Sequence, residues 1–497
     1  MQIDVSKSAR QEKGAGQWQH SDKFGSKAPG IGTMWYPTGM GKTFTALNYI
    51  VNPLLDKRPT SIVIILVHRD ELKKQWKDRI GKFVHRRHRS QIVVQTVQYY
   101  IKHQTRTKCD LLIVDEVHKF YGADYFTYVN GDNIGWKYLL CLTATYTDKD
   151  GRHKQLEDIG CHVTDHITEQ EALDNGWISK YIEYNLAVKM TNEEVIRYKE
   201  ICEFVDNNLS KFGKHSFDGA NKCLNGKTIE KDGIVKEYTG FDYCLMWANA
   251  NGWRKPKFDE VLTEEQISIN AMWNPNVIMG YAKNSFKGIR ERVKFTNECL
   301  SKMNTVIDII EKFKEYKIMS FSESTTFANR LSKKLNTKNP DSCVVFHSQL
   351  NSRPLKDDKG KYILYGKTAK KAGEVKLFGL KTLKKVYIEK FVNNEVRVLS
   401  TAKVLDEGFD CEDIQVAIIS SRSRNYNQQK QRKGRAIRVL PEAPDDYVLI
   451  INPFLEGTKD QEALVAAQSK STNNITWVHS IDQIDFDPNS RNSFNDI

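Results

Sequence analysis

The stretch from Tyr36 to Thr43 has the residue types of a phosphate-binding loop. Glycines let backbone N–H groups close around phosphate oxygens without a Cβ in the way. Lys42 would reach the β- and γ-phosphates, and the hydroxyl of Thr43 would reach Mg²⁺. Tyr36 stands where the pattern G-x-x-x-x-G-K-[ST] has glycine, and the run behind the loop predicts a helix whose N-terminus faces the phosphates. The predicted phosphate-binding residues are Thr38, Gly39, Met40, Gly41, Lys42 and Thr43.

Two carboxylates, Asp115 and Glu116, follow the apolar run Leu111–Val114. Such a run is typical of a parallel strand buried on both faces. Asp115 would hold Mg²⁺ directly or through water, because this ion accepts few protein ligands. Glu116 would orient and deprotonate the attacking water. The two stretches together predict Mg²⁺-assisted phosphoryl transfer, with Thr43 and Asp115 as the metal-binding residues.

The elements around these residues predict an α/β fold with two sheets. Apolar runs of strand length alternate with helical spacers, which indicates parallel sheets that bind ligand at the carboxyl ends of their strands. The runs of the first series are Ser61–Val67, Ile92–Val97, Leu111–Val114 and Tyr138–Leu142. The runs of the second series are Lys317–Phe321, Cys343–Phe346, Val396–Ser400, Val416–Ile419 and Tyr447–Ile451.

The sequence divides into five predicted regions. A polar, glycine-rich N-terminal extension occupies residues 1–30, and the two α/β lobes occupy 31–185 and 301–458. Between the lobes, residues 186–300 are helix-like, with tryptophans among many lysines and arginines. These side chains suit nucleic-acid binding, and they suit an ordinary helical core with a solvated face equally well. Residues 459–497 form a polar C-terminal tail.

The composition favours a polyanionic partner and an intracellular location. The net charge is +13 over 497 residues, and this excess favours nucleic acid over other partners. We find no apolar run long enough to cross a bilayer and no signal-peptide pattern, so no membrane partner is expected. The nine cysteines include no C-x-x-C pair, which disfavours a zinc ribbon or a disulfide framework.

The motifs resemble those of superfamily 2 helicases and occur in the family order. Asp115-Glu116-Val117-His118 resembles the DExH box, and the phosphate loop resembles motif I with its small first residue replaced by Tyr36. The segments similar to motifs Ia, III, IV and V are Val67–Trp76, Thr143–Thr145, Ser320–Ser322 and Thr401–Asp410. Residues Gln431–Arg438 match Q-x-x-G-R-x-x-R, motif VI, at every fixed position.

This resemblance implies two RecA-like lobes with ATP and Mg²⁺ between them. Arg435 and Arg438 would be arginine fingers from the second lobe, with Gln431 beside them. Asp406 and Gly408 of motif V would also contact the nucleotide. A glutamine upstream of motif I would read the adenine edge. Gln17 is at a plausible distance, Gln19 is a rival, and an ordinary surface glutamine explains Gln17 equally well.

The resemblance also implies residues that contact nucleic acid and residues that couple the two activities. Thr96 would touch a nucleic-acid phosphate, although a hydroxyl at a strand end is common in any sheet. His118 would link the ATP site to motif III, or would simply be a packed histidine. The residues predicted to bind nucleic acid are Arg69, Thr96, Ser322 and Thr401, and those predicted to couple are His118, Thr143 and Thr145.

The motifs are more similar to those of DNA-directed members than to those of DEAD-box RNA helicases. Phage UvsW-type helicases are the most similar, followed by XPB-like and Hef-like enzymes, and a phage-encoded protein acting in a host cytoplasm would fit. Lysines between 367 and 385 would line a phosphate path or a solvated loop. Pro340-Asp341 and Glu374-Val375-Lys376 superficially resemble a nuclease site, but they lie in a turn and in a lysine-rich insertion, which disfavours a nuclease.

The sequence therefore predicts an ATP-dependent DNA helicase or translocase that remodels forked or branched DNA. Three alternatives stay open: an RNA helicase, the motor subunit of a restriction system, and a nucleic-acid-binding protein with an inactive ATPase. The intact Lys42, Asp115, Glu116 and Arg438 disfavour the last of these. A monomer is the expected state.

Overall fold

The computed structural model describes residues 5–148, 150–213, 216–231, 234–257, 271–347, 350, 380–402, 413–421, 447–468 and 475–487. The predicted site residues Asp406, Gly408, Gln431, Arg435 and Arg438 lie outside the described residues. So does most of the lysine-dense segment between 353 and 390.

The first predicted sheet is present with six parallel strands, and we name it sheet A. Its strand order is β3-β2-β4-β5-β1-β6, with parallel registers throughout. The strands are β1 Ile31–Trp35, β2 Val63–Val67, β3 Ile92–Thr96, β4 Thr107–Asp115, β5 Ile134–Thr143 and β6 Val163–His166. Every residue of β2 is buried, because a parallel sheet covered by helices has no solvent face.

Alternate residues of these strands enter two separate cores. Ile113 packs on the same face as Trp76, whereas Leu112 and Val114 pack on the opposite face with Tyr100. Period-two alternation across a sheet explains this division. The helices of this lobe are α1 Val5–Gln19, α2 Lys42–Thr45, α3 Asn52–Lys57, α4 Asp70–Phe83, α5 Val97–His103, α6 Ala123–Phe126, α7 Lys154–Asp158 and α8 Glu169–Asp174. A π-helical turn, Ala46–Val51, joins α2 to α3.

The N-terminal extension is part of this lobe, which the sequence analysis did not foresee. Helix α1 packs Ala15 and Trp18 into the same core as Trp76, and the indole Nε1 of Trp18 donates to Leu139 O at 3.0 Å. Gly14 and Gly16 obscured the helix in the sequence, because glycine disfavours helix interiors.

The second predicted sheet, sheet B, has seven strands in the order β11-β12-β10-β13-β14-β7-β15. The strands are β7 Tyr181–Val188, β10 Ile318–Ser322, β11 Cys343–His347, β12 Val398–Ala402, β13 Val416–Ile419, β14 Val448–Leu455 and β15 Ile475–Val478. The α/β prediction with two parallel sheets is confirmed. The helices near these strands in the chain are α13 Leu300–Lys312, α14 Thr325–Lys338, α15 Leu380–Val392 and α16 Lys459–Gln468.

Two strands of sheet B lie outside the predicted boundaries of the second lobe. Strand β7 precedes the helical insertion, and β15 lies in the segment predicted to be a polar tail. Strand β15 pairs with β7 in parallel, with Ile475 opposite Glu183, and the side chain of Gln468 bonds to Glu183 and Asn185. Four residues between polar flanks are too short a run to predict a strand from sequence.

By their internal contacts, the residues form two compact units. The first comprises Met1–Leu186, Ile307–Pro453 and Ala463–Ile497, and contains the two sheets. The second comprises Ala187–Val306 and Phe454–Glu462. Its helices are α9 Asn192–Leu209, α10 Phe217–Asn225, α11 Gly240–Ala250 and α12 Pro275–Glu298, and its hairpin strands are β8 Lys227–Lys231 and β9 Ile234–Tyr238.

The second unit is held by close helix packing and a buried ion pair. Helix α12 crosses α9 at Gly288, where a Cβ would lie 2.7 Å from Val205 Cγ2. Lys302 is fully buried and pairs with Asp460 on the returning segment. No helix in the described part of the chain combines the length and the apolar character that a membrane span requires.

The carboxylate of Glu194 in the first turn of α9 accepts hydrogen bonds from Cys299 and Ser301 at the start of α13. We expect the contribution of Glu194 to stability to depend on pH. Burial alone would raise the pKa of Glu194, but bonds from Ser301, Thr191 and Cys299 lower it to about 2. A depressed pKa contributes stability that is complete above the ordinary value of 4.5 and is lost as the pH falls toward 2. We expect Glu194→Ala to lower the free energy of unfolding by about 1 kcal/mol at neutral pH.

Urea unfolding at neutral and acidic pH tests this expectation. The difference between wild type and Glu194→Ala should shrink as the pH falls through the acidic range. The control is Glu193→Ala, since this exposed carboxylate lies in the same helical turn. A difference between the two proteins that is independent of pH would contradict the role given to the ionised Glu194.

Candidate nucleotide-binding site

Three neighbouring strands of sheet A deliver the predicted catalytic motifs to one edge. Strand β5 lies between β1 and β4. Trp35 at the end of β1 pairs with Thr143, and Asp115 at the end of β4 pairs with Leu142. The phosphate loop, the two carboxylates and the Thr143–Thr145 turn therefore follow strands that end at the same level. In open α/β sheets, ligands bind beyond these carboxyl ends.

The phosphate loop has the conformation that its glycines permit. Gly39 and Gly41 have φ angles of 88° and 83°, in the left-handed region that other residues rarely adopt. The Lys42 ammonium turns back onto the loop and donates to Tyr36 O at 3.1 Å. Gly41 is the residue before α2, so the helix N-terminus is directed at the loop.

Two side chains of helix α1 donate hydrogen bonds to carbonyl oxygens of this loop. The Lys7 ammonium donates to Gly39 O at 3.2 Å, and the Gln11 amide donates to Met40 O at 2.8 Å. Within the described residues, the N–H groups from Gly41 to Thr43 donate to no protein acceptor, as expected for the first turn of a helix. The carbonyl oxygens of Gly39 and Met40 are therefore bonded to α1, and the N–H groups from Gly41 to Thr43 are free for an anion.

Tyr36 belongs to a buried network that explains its place in the loop. Its hydroxyl donates to Asp165 Oδ2 at 2.5 Å. The same carboxylate receives two bonds from the Arg10 guanidinium, at 2.7 and 2.8 Å. Gly14 makes room for the ring, since a Cβ there would lie 1.9 Å from the Tyr36 hydroxyl. Burial, together with the charge of Asp165, raises the pKa of Tyr36, so the phenol stays protonated as a donor.

The two carboxylates have different surroundings. Asp115 accepts a hydrogen bond from the buried Trp76 indole at 2.8 Å, a partner that no sequence pattern indicated. Glu116 has φ 53° and ψ 53°, which is left-handed and costly for a residue with a side chain. Its Oε2 atom is buried, lies 3.4 Å from His118 Nδ1, and accepts no hydrogen bond from the described residues.

The charges at this edge favour ionisation of Glu116 over Asp115. Burial and the neighbouring Glu116 raise the pKa of Asp115 to about 6. Burial opposes ionisation of Glu116 too, but lowering contributions, the largest from the Lys42 ammonium, outweigh it and lower the pKa of Glu116. The two adjacent groups titrate as a pair. At neutral pH Glu116 is a carboxylate, which is the form that a general base requires.

His118 connects the carboxylates to the end of β5. Thr143 Oγ1 donates to Thr145 O at 2.7 Å, so the His118 Nδ1–H must be the donor in the 3.1 Å bond to that hydroxyl. Burial lowers the pKa of His118 to about 4, and the ring is neutral at physiological pH. The structure thus brings together His118, Thr143 and Thr145, the three residues predicted to couple.

Gln11 is a glutamine of α1 that contacts the phosphate loop, whereas the assignment of Gln17 to the adenine edge stays a prediction. Gln11 is buried and lies one helical turn after Lys7 on the same face of α1. The side-chain oxygen of Gln17 is buried without a hydrogen-bond partner among the described residues. Gln11 was missed because α1 was not predicted, although its spacing from Lys7, Gly14 and Trp18 is that of one helix face.

Only one of the four residues predicted to touch nucleic acid is exposed. Arg69 is exposed, whereas Thr96, Ser322 and Thr401 are buried. The Ser322 hydroxyl donates to Ser324 O at 2.9 Å, and its contact with nucleic acid stays a prediction. The four residues do lie at or near the carboxyl ends of neighbouring strands, two in each sheet.

Two segments of the chain match protein families. Residues 4–148 match the family described as the res subunit of type III restriction enzymes. Residues 380–440 match the helicase conserved C-terminal domain. The two matches, in this order, are similar to the domain pair of superfamily 2 helicases. Enzymes with these helicase domains hydrolyse ATP, and the chain is an ATP hydrolase.

Individual relatives are similar along most of the chain. The DNA 3'-5' translocase XPB2 of Sulfurisphaera tokodaii is 25% identical over 442 residues, which cover 86% of this chain and 79% of the relative. Dbp5 of S. cerevisiae, solved with RNA and ADP BeF3, has a TM-score of 0.51 at 12% identity, covering 95% of this chain and 89% of Dbp5. It supports the fold alone. The Hef helicase domain of Pyrococcus furiosus has a TM-score of 0.46 at 14% identity, covering 88% of this chain and 95% of the Hef domain.

Proposed function

We propose that the chain is an ATP-dependent DNA helicase or translocase. The observation that carries this proposal is the convergence of the phosphate loop, Asp115-Glu116 and the Thr143–Thr145 turn at one edge of sheet A. DNA is proposed over RNA because the curated relative, similar over most of this chain, is named a DNA translocase.

The residues at this edge fit Mg²⁺ and ATP. The free N–H groups from Gly41 to Thr43 would bind phosphate oxygens. Thr43 and Asp115 would hold Mg²⁺, which neutralises charge on the phosphates. No larger group of His, Cys, Asp or Glu that could hold a metal exists in the described ranges, and Mg²⁺ bound with a nucleotide needs none.

Within this site each side chain has a separate task. Lys42 would leave Tyr36 O and move to the phosphates, and Glu116 would take a proton from the attacking water. His118 would couple the protonation and position of Glu116 to Thr143, and through Thr143 to the second lobe. Arg435 and Arg438, with Gln431, would supply positive charge to the phosphates, and Asp406 and Gly408 would contact the nucleotide from motif V.

Gln11 is our candidate for the adenine-reading glutamine in place of Gln17. Since an uncharged hydrogen bond contributes about 0.5–1.5 kcal/mol, Gln11→Ala should raise KM for ATP by about 2- to 10-fold. The ratio of kcat/KM between ATP and GTP should fall with it. Gln17→Ala is the matched control and should leave the ratio unchanged. Loss of discrimination in Gln17→Ala alone would restore the original assignment.

We further propose that the natural substrate is forked or branched DNA in replication, recombination or repair. The support is the helical unit, Ala187–Val306 with Phe454–Glu462, which follows strand β7 in the chain. The test is the ATPase rate with single-stranded, duplex, forked and four-way DNA and with matched RNA. Greatest stimulation by forks or junctions is expected, and stimulation by RNA alone would overturn the assignment to DNA.

A restriction motor is the second candidate, because residues 4–148 match a restriction-enzyme subunit. In that case specificity and cleavage would lie in partner chains. Absence of stimulation by every nucleic acid, together with co-purification of a methyltransferase or nuclease, would favour this candidate over an autonomous helicase.

A further inference from the structure

Helix α12 carries a row of positive charge on the face opposite its core. Ile278, Ala282, Ser285 and Gly288 are buried against the rest of the second unit. On the other side, four cations occur at spacings of four, three and four residues, within about 60° of arc at 100° per residue. These four exposed side chains, the α12 basic stripe, are Lys283, Lys287, Arg290 and Lys294.

One acidic residue, the exposed Glu291, lies beside the α12 basic stripe, four residues after Lys287 and three before Lys294. None of its four members makes an ion pair within the described residues. Like charges three and four residues apart repel on a helix surface, and the single carboxylate of Glu291 does not balance four cations. The exposed acidic residues of this unit lie largely on α9, such as Glu200 and Glu203. A polyanion bound along α12 would relieve the repulsion.

An exposed aromatic ring lies beside the stripe. Phe286 is about a quarter turn from the stripe, next to Lys287 in sequence, and Phe217 of α10 packs against it edge to face, with 4.9 Å between ring centroids. Phe217 is 49% exposed, so about half of this residue is open to solvent. Cations along a helix with an open ring beside them are the two parts of a single-strand binding surface.

We propose that the α12 basic stripe and Phe217 bind a single strand of nucleic acid, with phosphates along the stripe and a base on the ring. This inference rests on the proposed function. A duplex would satisfy the cations, but its bases are already stacked and cannot cover Phe217. A single strand supplies both phosphates and free base faces, which is why we assign it as the ligand. The stripe from Lys283 to Lys294 is about 16 Å long.

The first test measures binding of a fluorescent oligodeoxythymidylate to the full chain at several salt concentrations. Lys287→Gln with Lys294→Gln removes two phosphate contacts, and each contributes about 0.7 to the slope of log K against log salt. The slope should therefore fall by about 1.4. The matched control is Lys189→Gln with Lys199→Gln, two exposed lysines of the same unit outside the stripe, and its slope should equal that of wild type.

The second test separates stacking from charge. Phe217→Ala should weaken binding of the oligodeoxythymidylate by about 5- to 100-fold, without changing binding of a blunt duplex. Phe217→Trp keeps an aromatic face and should retain affinity. Thermal midpoints and circular dichroism establish that each variant is folded.

Two results would overturn the inference. Equal salt slopes in the stripe variant and its control would show that the stripe does not contact phosphates. Equal losses of affinity for duplex and for single strand in Phe217→Ala would show that no base stacks on the ring. Either result, with wild-type protein still bound and stimulated by DNA, leaves the proposed function standing. Wild-type protein that binds no nucleic acid would instead show that the proposed function has failed.

Discussion

Glu116→Gln is expected to slow ATP hydrolysis by about 10²- to 10⁴-fold with little loss of nucleotide affinity. The amide has the shape of the carboxylate but cannot accept a proton from water. The Lys42 ammonium lowers the pKa of Glu116, so wild-type protein supplies this base in its ionised form at neutral pH. Its left-handed backbone holds the side chain at the end of β4 in either variant.

Single-turnover hydrolysis and equilibrium binding of a fluorescent nucleotide, measured on the same samples, test this expectation. Lys42→Ala should lose hydrolysis and affinity together, because the ammonium would contact the phosphates before and during reaction. The matched control is Asp158→Asn, an exposed carboxylate of the same lobe. Turnover in Glu116→Gln close to that of wild type would refute the assignment of the base.

Asp165→Ala is expected to lower the free energy of unfolding by about 3–5 kcal/mol. The substitution leaves the Arg10 guanidinium, whose side chain is only 14% exposed, without its main partner. It also leaves the buried Tyr36 hydroxyl without an acceptor. An isolated charge and an unpaired hydroxyl in the same core are more costly than the loss of the contacts themselves.

A double-mutant cycle measured by urea unfolding separates these contributions. Arg10→Met with Asp165→Ala removes both charges and should recover part of the stability lost in Asp165→Ala. Tyr36→Phe removes one hydroxyl and should cost less, about 1–3 kcal/mol. Strict additivity of the Arg10 and Asp165 substitutions would show that the network contributes no coupling and would contradict the prediction.

The strands could be predicted because burial dictates their composition. Runs such as Val63–Val67 and Val416–Ile419 are apolar at every position and buried at every position. Strand β15 and helix α1 could not be predicted in this way. The first has four residues between polar flanks, and the second has glycines at positions that let another side chain approach, as Gly14 does for Tyr36.

The candidate site was predictable where chemistry restricts residue type and spacing. Lys42, Thr43, Asp115 and Glu116 are such residues. The residues that support them were not predictable, because many side chains could donate to a carboxylate or a carbonyl group. Trp76 on Asp115 and Gln11 on Met40 depend on which helices pack over the sheet, and this is a tertiary property that local spacing does not carry.

Helix α1 makes the phosphate loop a preorganised receptor. The peptide planes of the loop at Gly39 and Met40 cannot rotate to turn their oxygens toward an anion without breaking the hydrogen bonds from Lys7 and Gln11. The conformational entropy of ordering the loop is therefore lost during folding and not again when a nucleotide arrives. A chain shortened to begin at β1 would keep every residue of the nucleotide motif and still lack the bonds that hold it in shape.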